Sequence, residues 1–173
     1  MGQRGGPPSF PLLVLLAGLI IVADQLTKWL IMSRFGLYEI KVVVPGFFNL
    51  TYLHNTGAAF GLLANANPAW RPYFFIGIAL AALVFVFFAF RQYGRRSAAY
   101  VFAFAFIGGG AVGNLIDRVR FGSVVDFLDF YVSTYHWPAF NVADSAIVVG
   151  VGLFLLGSLL DREDDHASGK GKE

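Results

Sequence analysis

Four stretches of this chain are long and apolar enough to cross a bilayer, at about 10–32, 68–90, 97–116 and 142–160. A spanning helix needs about 20 mostly apolar residues, and each stretch supplies them. Hydrophobic residues make up 57% of the 173-residue chain and aromatics 17%, against 14% charged. With a mean hydropathy of +0.63, a soluble globule is a poor fit, and an α-helical integral membrane protein with four transmembrane helices is expected. One domain over 1–161 is expected, followed at 162–173 by a charged, Gly-containing tail read as disordered.

The first stretch is read as a retained anchor. Arg4 followed by an apolar run opens as a signal peptide does, but the run continues beyond Lys28, and Ile21-Val22-Ala23 lacks the small-residue cleavage pattern. Leu16-Ala17-Gly18 begins like a lipobox, yet Leu19 stands where Cys is required. Arg91, Arg95 and Arg96 between the second and third stretches, with Arg4, mark the inner side. Both termini are then inside, and the segments at about 33–67 and 117–141 are outside. In the first of these, Val42-Val43-Val44 and 47–53 are β-branched and aromatic around Pro45-Gly46, which suits a small sheet at the outer membrane surface.

The formal charge of +2 forms no basic stripe, which argues against nucleic acid. No Cys is present, which excludes disulfides, thiolate metal sites and a cysteine nucleophile. His54, His136 and His166 are dispersed, with no helical pair suited to a metal, and no cofactor is called for.

Ionisable groups in lipid cost several kcal/mol unless paired or hydrated, so each one in a span invites a functional reading. Asp24 and Lys28 share a helix face and could simply neutralise one another. Asn55-Thr56-Gly57-Ala58-Ala59-Phe60-Gly61 reads as a polar turn before the second span. Gly109 and Gly113 make a close-packing face, beyond which Asn114 and Arg118 share a face at the helix end. A cation there also suits the helix dipole. Asp126 sits between Val125 and Phe127, although Asp129 could replace it on sequence alone. Asn141 and Asp144 open the fourth span and could form a variant capping box.

Two carboxylates within reach of one another share a proton, because both cannot easily ionise. The charged one can take a proton from water attacking a peptide carbonyl, while the protonated one polarises the carbonyl oxygen. Were Asp126 and Asp144 such a pair, Asp144 in a first helical turn would favour its charged form and Asp126 would hold the proton. His-Glu-x-x-His and Gly-x-Ser-x-Gly are absent, so acid chemistry is the hydrolytic option left. On the residues alone, two other classes stay open. One is a proton-coupled transporter with Asp24, Asp126 and Asp144 as relay; the other is an assembly factor docking on the outer sheet.

Taken together, five blocks resemble the bacterial lipoprotein signal peptidase family, in its order. They are Asp24-Gln25-Leu26-Thr27-Lys28, the Asn55 block, Gly109 through Arg118, Val124-Val125-Asp126-Phe127 and Phe140-Asn141-Val142-Ala143-Asp144. The resemblance implies four transmembrane helices with a small outer-surface β-sheet cradle, in the bacterial inner membrane. It implies an aspartic endopeptidase cutting a diacylglyceryl-modified prolipoprotein just before its lipidated Cys, with membrane lipid around it. Asp126 and Asp144 would be the catalytic pair. Asn55, Gly57, Asn114, Arg118, Asn141 and Ala143 would shape the site or hold substrate, supported by Asp24 and Lys28. Globomycin-type cyclic peptides would block it.

Overall fold

The computed structural model describes residues 10–57, 69–94 and 96–169, with side chains as far as Asp161. Arg4, Arg95, residues 58–61 of the Asn55 block and Pro68, the opening residue of the second stretch, lie outside the described residues.

Four helices, α1 (Phe10–Arg34), α2 (Arg71–Tyr93), α3 (Ala98–Phe121) and α4 (Val142–Gly169), account for most of the chain. All four carry a span long and apolar enough to cross a membrane. Lipid offers no hydrogen bonds, so these apolar runs satisfy their backbone groups internally as helices. α2 begins at Arg71, with Pro72 in its first turn, where the missing N–H interrupts no helical bond.

Two helices run further than their composition suggested. α3 continues through Asp117 and Arg118 to Phe121, because no breaker intervenes before Gly122. Gly122 takes φ +69°, the left-handed conformation that closes a helix, and its N–H donates to the Arg118 carbonyl at 3.0 Å. α4 continues past 160 to Gly169, so the tail expected to be disordered from 162 is helical that far. No Gly or Pro interrupts the sequence between Asp161 and Ala167.

α3 is the inner helix: 50% of its span is buried, against 22% or less for the others. It packs against α1, α2 and α4 alike. Helices in lipid gain little from apolar burial, so close approach and polar bonds hold them together. Gly113 supplies that approach, since a Cβ there would stand 2.6 Å from Asp24 Oδ2 and 3.3 Å from the Ala143 Cβ. Towards the other end, Tyr100 and Phe104 of α3 pack with Val86 and Ala89 of α2 and with Phe154. Large apolar side chains such as Leu19, Phe85, Phe88, Val148 and Leu155 point outward, as a lipid-facing surface requires.

The loops after α1 and α3 together build one antiparallel sheet, β1 (Ile40–Val44), β2 (Phe48–Asn55), β3 (Val124–Val132) and β4 (Tyr135–His136), ordered as numbered. β1 and β2 arise where the β-branched run predicted a sheet. β3 and β4 come from the second loop, for which no strand was anticipated, although Val124-Val125 and 127–132 carry the same residue types. A register shift in β2 between Leu50 and Leu53 sets two residues against one on β3. Asp126 and Asp129, an odd number of residues apart, lie on opposite faces of β3.

Candidate active site

The polar residues of α1, α3, β2, β3 and α4 converge where the sheet meets the bundle. Lys28 is 1% exposed and lies 2.9 Å from Asp24 Oδ2 and 2.8 Å from Asp117 Oδ2. Its ammonium also donates to Asn114 Oδ1 at 3.0 Å, which uses all three protons. A buried ion pair is tolerated only when its remaining groups are satisfied, and removing one partner typically costs about 3–5 kcal/mol. Here they are satisfied. Gln25 Nε2 donates to Asp24 Oδ2 and to Asp117 Oδ1, the Ala143 N–H donates to Asp24 Oδ1 at 2.9 Å, and the Val125 N–H donates to Asp117 Oδ2 at 3.1 Å.

From this base an amide chain leads to two further carboxylates. Asn114 Nδ2 donates to Asp144 Oδ1 at 2.7 Å. Asn141 Nδ2 donates to Asp126 Oδ1 at 2.8 Å and lies within reach of Asn114 Oδ1 and the Val125 carbonyl, both at 3.2 Å. Asn141 and Asp144 also form the capping box. The Asp144 N–H donates to Asn141 Oδ1 at 2.9 Å, and the Asn141 N–H donates to Asp144 Oδ2 at 3.3 Å. One asparagine thus caps α4 and grips Asp126.

On the other side, Asn55 Nδ2 donates to Asp126 Oδ2 at 2.9 Å, while its Oδ1 accepts the Gly57 N–H at 3.0 Å. Arg118 Nη2 donates to the Gly57 carbonyl at 3.2 Å, and the guanidinium lies over the Phe75 ring at 4.4 Å. Its Nη1 is buried with no hydrogen-bond partner among the described residues.

Asp126 is 3% exposed, and its pKa is raised to about 7. Burial is the main cause and the charge of Asp144 the second; hydrogen bonds from Asn55 and Asn141, with the Lys28 charge, oppose them. Among the described residues, Asp24, Asp117, Asp126 and Asp144 lie near the cations Lys28 and Arg118, so a proton on one carboxyl reduces the excess negative charge.

The structure therefore brings Asn55, Gly57, Asn114, Arg118, Asp126, Asn141, Ala143, Asp144, Asp24 and Lys28 into one hydrogen-bonded cluster. Asp129 is kept apart on the other face of β3. It is buried, with Oδ2 accepting from Asn49 at 2.8 Å and Oδ1 2.8 Å from His136 Nδ1. Asp117 and Gln25 were not singled out from sequence and belong to the cluster. A charged residue three beyond Asn114 on an extended α3 was the available signal for Asp117.

A four-span bundle roofed by a sheet, with buried carboxyls gathered at the junction, fits a membrane enzyme. Residues 16–160 match the family model described as signal peptidase (SPase) II. The chain belongs to the signal peptidase II family and is an aspartic endopeptidase. It is 53% identical over 153 residues to a lipoprotein signal peptidase of Syntrophotalea carbinolica, covering 88% of this chain and 94% of that one. To the protein of the same name from Syntrophus aciditrophicus it is 44% identical, covering 90% and 96%. A solved bacterial membrane enzyme, determined by the in meso method at 2.3 Å, superposes with a TM-score of 0.82 at 31% identity. That likeness covers 93% of this chain and 96% of the other.

Proposed function

We propose that this chain removes the signal peptide from diacylglyceryl-modified prolipoproteins, cutting just before the lipidated Cys, with Asp126 and Asp144 as the catalytic pair. Family membership carries the coarser part, signal-peptide cleavage of prolipoproteins by a multi-pass inner-membrane enzyme. The observation supporting the finer part is the amide bridge. Asn141 and Asn114 tie a buried Asp126 to Asp144 while leaving both carboxyls with unfilled acceptor sites.

Asp144, at the positive end of α4, takes a proton from water as the water oxygen attacks the scissile carbonyl carbon. Asp126, which holds its proton up to about pH 7, donates a hydrogen bond to the carbonyl oxygen as it gains charge. When the C–N bond breaks, a carboxyl proton passes to the leaving amine and the pair returns to its single-proton state. Arg118 Nη1 is suited to hold a substrate carbonyl, and Asn55 and Gly57 to shape the wall beside it. Lys28 and Asp24 brace Asn114 and the first turn of α4. Globomycin-type cyclic peptides would inhibit by occupying the same pair.

The arginines of the α2–α3 loop put that end inside, so both termini are cytoplasmic and the sheet and dyad lie at the outer face. There the scissile bond of a membrane-anchored substrate meets water while its acyl chains stay in lipid. Detergent-purified protein mixed with diacylated and unacylated lipobox substrates tests the proposal. Cleavage of the diacylated one alone is expected; cleavage of both, or of neither, would count against the specificity.

A further inference from the structure

We infer that His54 is a positioning residue for the peptidase reaction, acting through Asn55 on Asp126; this rests on the reading of Asp126 as one of the catalytic pair. Both ring nitrogens of His54 are engaged. Nδ1 lies 2.7 Å from Ser123 Oγ and Nε2 lies 2.9 Å from Tyr52 Oη. The ring also stands edge-on to Phe121, the last residue of α3, at 5.9 Å. Hydroxyls can donate or accept, so either tautomer of the imidazole fits between them.

The position of Ser123 gives this contact its consequence. Ser123 is 4% exposed and follows Gly122, the left-handed residue that ends α3; β3 starts at the next residue. The His54–Ser123 bond therefore fastens the end of β2 to the corner where α3 turns into β3. That corner sets the height of Asp126. Asn55 is the last residue of β2, paired with Val124, and the chain beyond it turns away through Thr56 and Gly57. A terminal strand residue frays unless something holds it. His54, one residue earlier and on the opposite face, supplies that hold.

With β2 fixed, the Asn55 amide is set from two sides: its oxygen accepts the Gly57 N–H, and its nitrogen aims at Asp126 Oδ2. Releasing β2 would withdraw a donor that favours the charged form of Asp126, so the carboxyl would hold its proton to higher pH. The hydroxyl–imidazole pair resembles an activated nucleophile, but Ser123 is enclosed and tied to the backbone corner, which suits holding rather than attack.

Three variants of the full chain in detergent separate positioning from general damage, with a diacylated lipobox peptide as the probe. An Asn side chain can place a polar atom where Nδ1 sits, and a Gln side chain where Nε2 sits. Ser123→Ala and His54→Gln remove the Ser123 bond and are expected to lower kcat about ten-fold with KM within about two-fold. Both should also move the alkaline limb of the pH profile upward. His54→Asn keeps that bond and should hold kcat within about three-fold of the unaltered enzyme. The inference is overturned if Ser123→Ala and His54→Gln keep the unaltered kcat and pH profile. It is equally overturned if His54→Asn is as impaired as His54→Gln, since rescue is what positioning demands. Turnover by Asp126→Asn would instead remove the catalytic reading beneath it, a distinguishable result.

Discussion

At Asn141 a helix cap and a candidate acid–base site depend on one side chain. Asn141→Ala is expected to lower stability by about 1–3 kcal/mol, since the cap is lost and buried acceptors lose a donor. Turnover should fall much further, because Asp126 loses a donor and its bridge to Asn114. Thermal melts and peptide cleavage on the same sample separate the two effects. Asp126→Asn and Asp144→Asn should each abolish turnover without unfolding the chain. Asp129→Asn, on the far face of β3 with Asn49 and His136, should retain it. Equal loss in all three would mark structural damage or a wrong pair. The pH dependence follows from the sign of the Asp126 shift. Its pKa is raised to about 7, so the proton held in the working pair is lost as pH climbs through that region. Activity should therefore decline on the alkaline side, and a rate still rising well above pH 7 would contradict Asp126 as proton holder.

Among the elements, α3 is closely constrained at Gly113, whose backbone lies against Asp24 and Ala143 together. Gly113→Val is expected to destabilise by about 1–3 kcal/mol, typical of overpacking, and to displace Asp24 from the Ala143 N–H. A melt unchanged from that of the original protein would show that α1 and α4 can shift at no cost. The spans were legible because lipid imposes its demand on composition directly, and the Asn141–Asp144 box because its partners are local. Asp117 was not, since its partner Lys28 comes from a helix distant in sequence and α3 had to run past 116 to present it. Nor could residue type separate Asp126 from Asp129. Face and register set the two apart, and the β2 bulge that sets the register leaves no mark in the apolar pattern.

For the molecule as a whole, the absence of Cys makes topology directly measurable. Tyr135→Cys, exposed on β4, should react with an impermeant thiol reagent added to the outside of intact spheroplasts; Arg91→Cys, in the last turn of α2, should react only after lysis if that end is inside as proposed. The reverse pattern would invert the proposed orientation. A proton-relay transporter would need acids distributed through the membrane, whereas those of this site gather at one end of the bundle. The bond from the Ala143 N–H to Asp24 joins residues 119 apart and has a consequence for biogenesis. Synthesis delivers α1 first, with Asp24 as the carboxylate that accompanies Lys28 into the bilayer. Asp117 arrives only with α3, and the amide that locks Asp24 only with α4. Insertion of the last helix therefore completes both the fold and the candidate site, so on the proposed reading of Asp144 a half-made chain is inactive in the membrane.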